Sequence, residues 1–597
     1  MKDKLVKKSR YLITTAIEST WPLDEPVVFL GEWCRLHNRK QIWEGMDSVL
    51  VPYHWDDRKK LYQDYQYLSG LYEELLSELS SKLNEIHNTN HSQRYWRILI
   101  GPWLGYFSQI IFDRYTMIER AVSEYEISGV LLLENDTLEN MVPNDMRDFN
   151  SLYINDAWNE AIYGQLLINF NEIRFKRVPK KNTRESTEVS EGINDTGDRS
   201  FYGNIRDRIN SSIQKIFGLF ASKDVIFLLS SYLPLKIDLL LQARFGQIPK
   251  MWRTYFPPKI KIQPLLRQWC LKEEEEKLGF KQILSKIIPL QIPKIYLEGY
   301  NQLQGLIESV KWPKKPHIIF TSNSFLFDDI FKFWAAVKVE SGSKLIIGQH
   351  GGTYGTARWV FTEDHQISIS DKWISWGWGD IDKPKITAFG NIKTIQHSQK
   401  WDKNGMAMMV TTTLPRYSYH MYSIPVASQW LEYFSCQTRF VASLPQHIQD
   451  CLLIRLAKED YSWFQKNRWQ EIFPKIKLDS GNNKLSSLIS KSRLYISTYN
   501  ATTYLESLFW NIPTIIYWDP NYWELREDAV PYFAMLKKAG IFHDNPESAA
   551  QKTSEIWNDV EGWWAQPSIQ EVRRIFCDQY SRSVENPINS LKNILIH

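Results

Sequence analysis

His317-Ile-Ile-Phe-Thr-Ser, the segment Asp328 to Val339, and Lys344-Leu-Ile-Ile-Gly form the stretch from which the fold is read. The outer two are short apolar runs rich in isoleucine, each closed by small or polar residues. The middle one carries its apolar residues at helical spacing. Strand, helix and strand within about thirty residues specify a right-handed parallel unit. The pattern restarts beyond a glycine-containing linker, Ala388-Phe-Gly-Asn-Ile, with Met406-Ala-Met-Met-Val-Thr-Thr-Thr as a new strand. An α/β chain of two Rossmann-like domains facing a central cleft is expected, 1–400 and 401–597, with the boundary near residue 400.

Upstream, Tyr11-Leu-Ile-Thr-Thr-Ala and Val27-Val-Phe-Leu-Gly-Glu-Trp-Cys read as strands. The second stops at Gly31, which leaves Glu32 at a strand's carboxyl end. Leu61 to His87 has Leu and Tyr at helical spacing and is expected as a long surface helix. Val178 to Gly203 has almost no large apolar residue and is expected as a mobile loop. The run Lys272 to Lys277 reads as a solvated helix face.

The chain has 597 residues, more than one hydrophobic core usually serves. A net charge of +4, from 72 basic and 68 acidic residues, gives no support for nucleic acid as a partner. Val225 to Leu241 is interrupted by Ser230, Ser231, Pro234, Lys236 and Asp238, so it reads as buried core rather than a membrane span. The five cysteines lack metal-ligand spacing and are expected as reduced core thiols in a cytoplasmic protein. The basic first ten residues offer either a solvated tail or a peripheral hold on the inner face of the inner membrane. Aromatic residues make up 14% of the chain, which suits a handler of sugars or nucleotides, although most such rings belong in cores.

Gly348-Gln-His-Gly-Gly-Thr-Tyr-Gly follows a strand, where glycine lets backbone approach a phosphate or sugar. Gln349, His350 and Gly351 are placed there. His350 can donate to a phosphate oxygen or move a proton, or it is a hydrogen-bonded turn residue. The second segment is Arg493-Leu-Tyr-Ile-Ser-Thr-Tyr-Asn-Ala-Thr-Thr-Tyr-Leu-Glu. Its Ser497, Thr498, Asn500, Thr502 and Thr503 surround a helix start that can take an anion. Glu506, a turn further on, can accept from ribose hydroxyls or serve only the helix dipole. Arg416, His420 and Arg526 are candidates for donor phosphate or for structural ion pairs. Glu32, Asp328 and Asp364 are carboxylates for base or nucleophile work, among which the sequence does not choose. No metal or cofactor is expected, because the pairs Asp56-Asp57 and Asp328-Asp329 have no His/Asp cluster at ligand spacing around them.

Several strings together resemble a family. They are Thr14-Thr-Ala-Ile-Glu, Phe29-Leu-Gly-Glu-Trp-Cys, Pro52-Tyr-His-Trp-Asp-Asp-Arg, Tyr95 to Phe107, Gln349-His-Gly-Gly and Ser497 to Glu506. They are similar to the surface-polysaccharide (O-antigen, capsule) transferases of bacterial loci that make nonulosonic acids, themselves related to capsule Kdo transferases. That resemblance implies a GT-B glycosyltransferase moving a nonulosonic acid such as pseudaminic acid from a CMP-activated donor to a glycan or lipid-linked oligosaccharide acceptor. It also implies retention of configuration. A polyol-phosphate or UDP/GDP-sugar transferase on the same fold, and a non-catalytic glycan-binding protein, are the alternatives.

Overall fold

The computed structural model describes residues 8–134, 138–170, 173–179, 225–271, 279–395 and 399–596. All but the first two residues of the expected 178–203 loop, and the 272–277 charge run, lie outside the described residues.

Among the described residues there are three sheets, each wholly parallel. The first uses β1 (Arg10–Ile13), β2 (Val27–Phe29), β3 (Ser48–Leu50), β4 (Ile127–Leu133) and β5 (Phe175–Val178) in the order β3-β2-β1-β4-β5. The second uses β6 (Ile226–Leu228), β7 (Ile318–Thr321), β8 (Lys344–Gly348), β9 (Lys372–Ser375) and β10 (Ile386–Ala388), in simple sequence order from one edge to the other. The third comprises β11 (Met406–Val410), β12 (Leu452–Arg455), β13 (Lys477–Asp479), β14 (Ser492–Ser497), β15 (Thr514–Tyr517) and β16 (Phe542–His543), ordered β13-β12-β11-β14-β15-β16.

The α/β class and the parallel sheets are those expected. The difference is that residues 1–400 carry two five-stranded sheets where one Rossmann-like unit was expected. Both sheets share one continuous hydrophobic core, with residues such as Leu12, Val28, Ile319 and Ile347 in a single cluster. The first and third sheets reverse direction beside their first strand, between β1 and β4 and between β11 and β14, which is the crevice where α/β sheets bind ligands. β2 and β7 are buried throughout, as strands covered on both faces must be, and therefore read as unbroken apolar runs.

A helix over Gln93–Glu124 runs through the centre of the molecule, buried around nearly its whole circumference. It packs on the Arg58–His87, Asp156–Leu167, Asp329–Glu340 and Phe361–Ile369 helices. Gly105 permits this approach, since a Cβ there would stand 1.8 Å from the Phe361 ring. The Arg58–His87 helix is only half a surface helix: Leu61, Leu68, Leu75, Leu79 and Leu83 are buried against the core. The last helix, Pro587–Ile596, leaves the third sheet and buries Leu591 and Leu595 against Ile237, Leu241 and Ile374 of the second.

Twelve of the 25 tryptophans are fully buried, so the aromatic excess is largely core. Cys34, Cys436 and Cys577 are buried as expected. Cys270 and Cys451 are exposed, which corrects the reading of all five as core thiols. Among the described residues no helix is long and apolar enough to cross a membrane.

Candidate active site

The loop after β8 and the loop after β14 meet edge to edge. Gly352 N–H donates to Thr502 Oγ1 at 3.1 Å, and the Thr353 hydroxyl donates to the Asn500 carbonyl at 3.1 Å. The approach needs glycine at 352: a Cβ would fall 2.5 Å from the Ala501 carbonyl oxygen and 2.8 Å from Thr502 Cα, both unyielding backbone. Asn500 Oδ1 accepts from the Tyr504 hydroxyl at 3.1 Å and lies 3.2 Å from Thr356 Oγ1, while its Nδ2 is buried with no protein acceptor. The sequence thus brings together two segments about 150 residues apart, each at the carboxyl end of a parallel strand.

Gln349 sets the shape of the first loop. Its Oε1 accepts from Trp376 N–H and from Trp378 Nε1–H, each at 2.9 Å, and its Nε2 donates to the Gly351 carbonyl at 2.8 Å. Its amide is fully committed to the protein, so it positions the loop. His350 is half-buried, with Nε2 3.2 Å from the Tyr354 hydroxyl and Nδ1 buried without a protein partner. Burial first, and the Lys393 charge second, bring its pKa down to about 4, so the ring is neutral at pH 7. A neutral imidazole can accept a proton or donate one hydrogen bond without first losing a charge.

On the facing side, Thr502 is engaged with Gly352, and Thr503 Oγ1 donates to the Tyr499 hydroxyl at 3.1 Å. Glu506 pairs with Lys393 at 3.1 Å. The hydroxyls of Ser497 and Thr498 are engaged by the protein, Ser497 donating to Tyr499 O in the turn at 3.3 Å and Thr498 to Val410 O of β11 at 2.8 Å. A small hollow lined by Tyr433, Gln437, Thr498, Trp518, Asp519 and Trp523 lies at the carboxyl ends of β14 and β15.

The three expected cationic ligands are placed otherwise. Arg526 is bound to the buried Glu363 behind the loop, with its guanidinium 5.2 Å over the Trp378 ring. Arg416 is buried between the first and third sheets, paired with Asp156 at 2.7 Å and donating to the carbonyls of Trp33 and Tyr461. His420 is buried among Tyr106, Tyr419 and Tyr422, both ring nitrogens without partners, and burial holds its pKa well below the ordinary value. For Arg416 and Arg526 the structure realises the ion-pair alternative.

The carboxylates are dispersed. Glu32 is at the end of β2, bonded to Arg35. Asp364 accepts from the Tyr65 hydroxyl at 2.6 Å, pairs with Lys383 at 3.1 Å and is half-exposed. Asp328 follows β7, the neighbour of β8, and caps the Asp329–Glu340 helix by accepting from Phe331 N–H at 3.0 Å. Its burial pushes its pKa to about 6. Among the described residues no group of three or more His, Cys, Asp and Glu is arranged to hold a metal ion. Sequence reasoning did not single out Thr353 and Tyr354, although both lie within the quoted 348–355 motif, nor Lys393, which follows the quoted Ala388-Phe-Gly-Asn-Ile linker.

Fold and site define an α/β protein in which strand-end loops of two wholly parallel sheets meet. The chain belongs to the LIC12162 family of transferases, which it matches over residues 10–595. No curated protein matches it in sequence. Among solved structures it is similar to Anabaena Alr3699/HepE in complex with UDP-glucose, at 8% identity and a TM-score of 0.33, over 62% of this chain and 97% of that one. It is also similar to WaaG, a glycosyltransferase involved in lipopolysaccharide biosynthesis, at 11% identity and a TM-score of 0.27, over 62% and 99% of the two chains.

Proposed function

We propose that this transferase is a GT-B glycosyltransferase that moves a nonulosonic acid from a CMP-activated donor to a glycan or lipid-linked acceptor, with retention and without a resident cofactor. The observation that carries the reading is the contact of the His350 loop with the Asn500–Thr502 turn, two strand-end loops of facing parallel sheets. The nucleotide lies against the third sheet, where the Thr502–Phe509 helix start suits a phosphate. His350, neutral at working pH, hydrogen-bonds the leaving phosphate or the acceptor hydroxyl. Asp328, with a pKa of about 6, is the carboxylate suited to accept a proton near neutrality. The CMP donor and retention rest on the family resemblance of the quoted motifs.

The test is incubation with CMP-, UDP- and GDP-sugars and a lipid-linked or synthetic acceptor, following nucleotide release and acceptor mass together. CMP release with a nonulosonic-acid increment is the expected result. Turnover of a UDP- or GDP-sugar instead would replace the donor, and glycan binding without any turnover would overturn the enzyme reading.

A further inference from the structure

The cleft needs a cation, because the leaving group of any nucleotide-sugar transfer is a phosphate. Arg416 is buried, Arg526 is largely covered, and each holds a carboxylate. Lys393 also holds a carboxylate but is the most exposed of the three. It stands in the linker between the second and third sheets, its side chain one-third exposed, and spans to Glu506 at 3.1 Å, one turn into the helix that begins at Thr502.

Its position is built rather than incidental. Lys393 N–H donates to Asn391 Oδ1 at 3.1 Å, and Asn391 is itself fixed by donating from Nδ2 to Ser581 Oγ at 3.0 Å and from its N–H to the Arg582 carbonyl at 2.9 Å. The ammonium lies 5.9 Å over the ring of Tyr232, whose centroid is in turn 6.1 Å from that of His350. Tyr232 has a positive φ of 58° and Ser230 one of 50°, backbone that non-glycine residues keep only where the surroundings impose it. The surroundings are the Ser322 N–H and hydroxyl, which hold the carbonyls of Ser230 and Ser231 at 3.0 and 2.9 Å. This turn follows β6, so three strand ends of the second sheet converge on one point. The Lys393 charge reaches His350 and helps keep it neutral.

We propose that Lys393 is the phosphate-recognising cation of the site, passing from Glu506 to the donor phosphate on binding, with Tyr232 holding its ammonium in place. This rests on the reading of the chain as a nucleotide-sugar transferase. The exchange leaves Glu506 free of its ion pair in the bound state and makes phosphate binding compete with a carboxylate, so its strength depends on salt.

Calorimetric titration of the full chain with CMP, UMP, GMP, cytidine and inorganic pyrophosphate separates the two claims. Lys393→Gln is expected to weaken CMP about tenfold or more and leave cytidine unchanged, while Lys393→Arg keeps most of the affinity. Unfolding midpoints of both variants should match the parent, since Lys393 is partly exposed. Equal CMP affinity in Lys393→Gln and the parent overturns the assignment and leaves the donor reading intact. Pyrophosphate binding that depends on Lys393, with no nucleotide bound, keeps the assignment and overturns the donor reading. Failure of every phosphate-bearing probe to bind overturns both.

Discussion

His350 and His365 show one residue type in two different surroundings of the same protein. His350 has one nitrogen on Tyr354 and the other buried without a protein partner. Replacing it with alanine is expected to lower turnover by about 10²- to 10⁴-fold with little change in unfolding midpoint, the range for loss of a proton-handling group. A full retention of turnover would remove it from the chemistry. His365 is buried beside Gly101 and between Phe361 and Phe325, with neither nitrogen bonded, and burial brings its pKa to about 3. The sign follows directly. Between about 6.5 and 3 the unfolded chain takes up a proton that the folded chain refuses, so stability present above pH 6.5 is lost as pH falls through that window. His365→Phe, matched to its aromatic neighbours, should flatten the acid limb of stability measured by urea unfolding from pH 7 to pH 4. An unchanged limb would assign the acid loss to other groups.

At the scale of elements, Gly352 decides whether two loops can touch. Gly352→Ala drives a methyl into the Ala501–Thr502 backbone, and neither partner is a flexible side-chain end. The expected result is a destabilisation of about 1–3 kcal/mol by overpacking, and a loss of turnover larger than that of stability, because the Gly352–Thr502 bond is broken. Comparison of urea midpoints with turnover for this variant checks both. The strands leading into these loops were legible because residues buried on two faces read as largely apolar runs, as in Lys344–Gly348 and Ser492–Ser497. The central Gln93–Glu124 helix was not, since burial on every side erases the periodic stripe by which helices are recognised. Nor could the fate of a cation be read. Whether Arg416 meets a phosphate or a carboxylate depends on Asp156, 260 residues away, and local sequence carries no trace of that pairing. His350 and the Asn500 turn were legible because strand-end loops sit where open α/β sheets bind ligands.

The whole molecule is held by contacts that cross between its sheets. Arg58 reaches from the first-sheet side to Glu524 at 2.7 Å, Arg114 donates to the Ser418 carbonyl at 2.9 Å, and Gln109 accepts from Met421 N–H at 2.6 Å. The chain's end makes the return link, because Leu591 and Leu595 complete the outer core of the second sheet with Ile237, Leu241, Phe389 and Ile392. The second sheet therefore closes its outer core only with the Pro587–Ile596 helix in place. Removing 587–597 strips two fully buried leucines from that core, a loss of about 3–6 kcal/mol at about 1.5–3 kcal/mol each. If the sheets fold as one cooperative body, the truncated protein should show a single unfolding transition at a lower urea midpoint. If the second sheet is separable, the truncation should split the curve in two, with Trp373 and Trp376 reporting the earlier step and the third sheet's Trp430 and Trp469 the later. The crossing contacts at Arg58 and Arg114, between the first-sheet and third-sheet segments, and at Gly352, between the second and third, argue for the single transition, since together they tie all three layers.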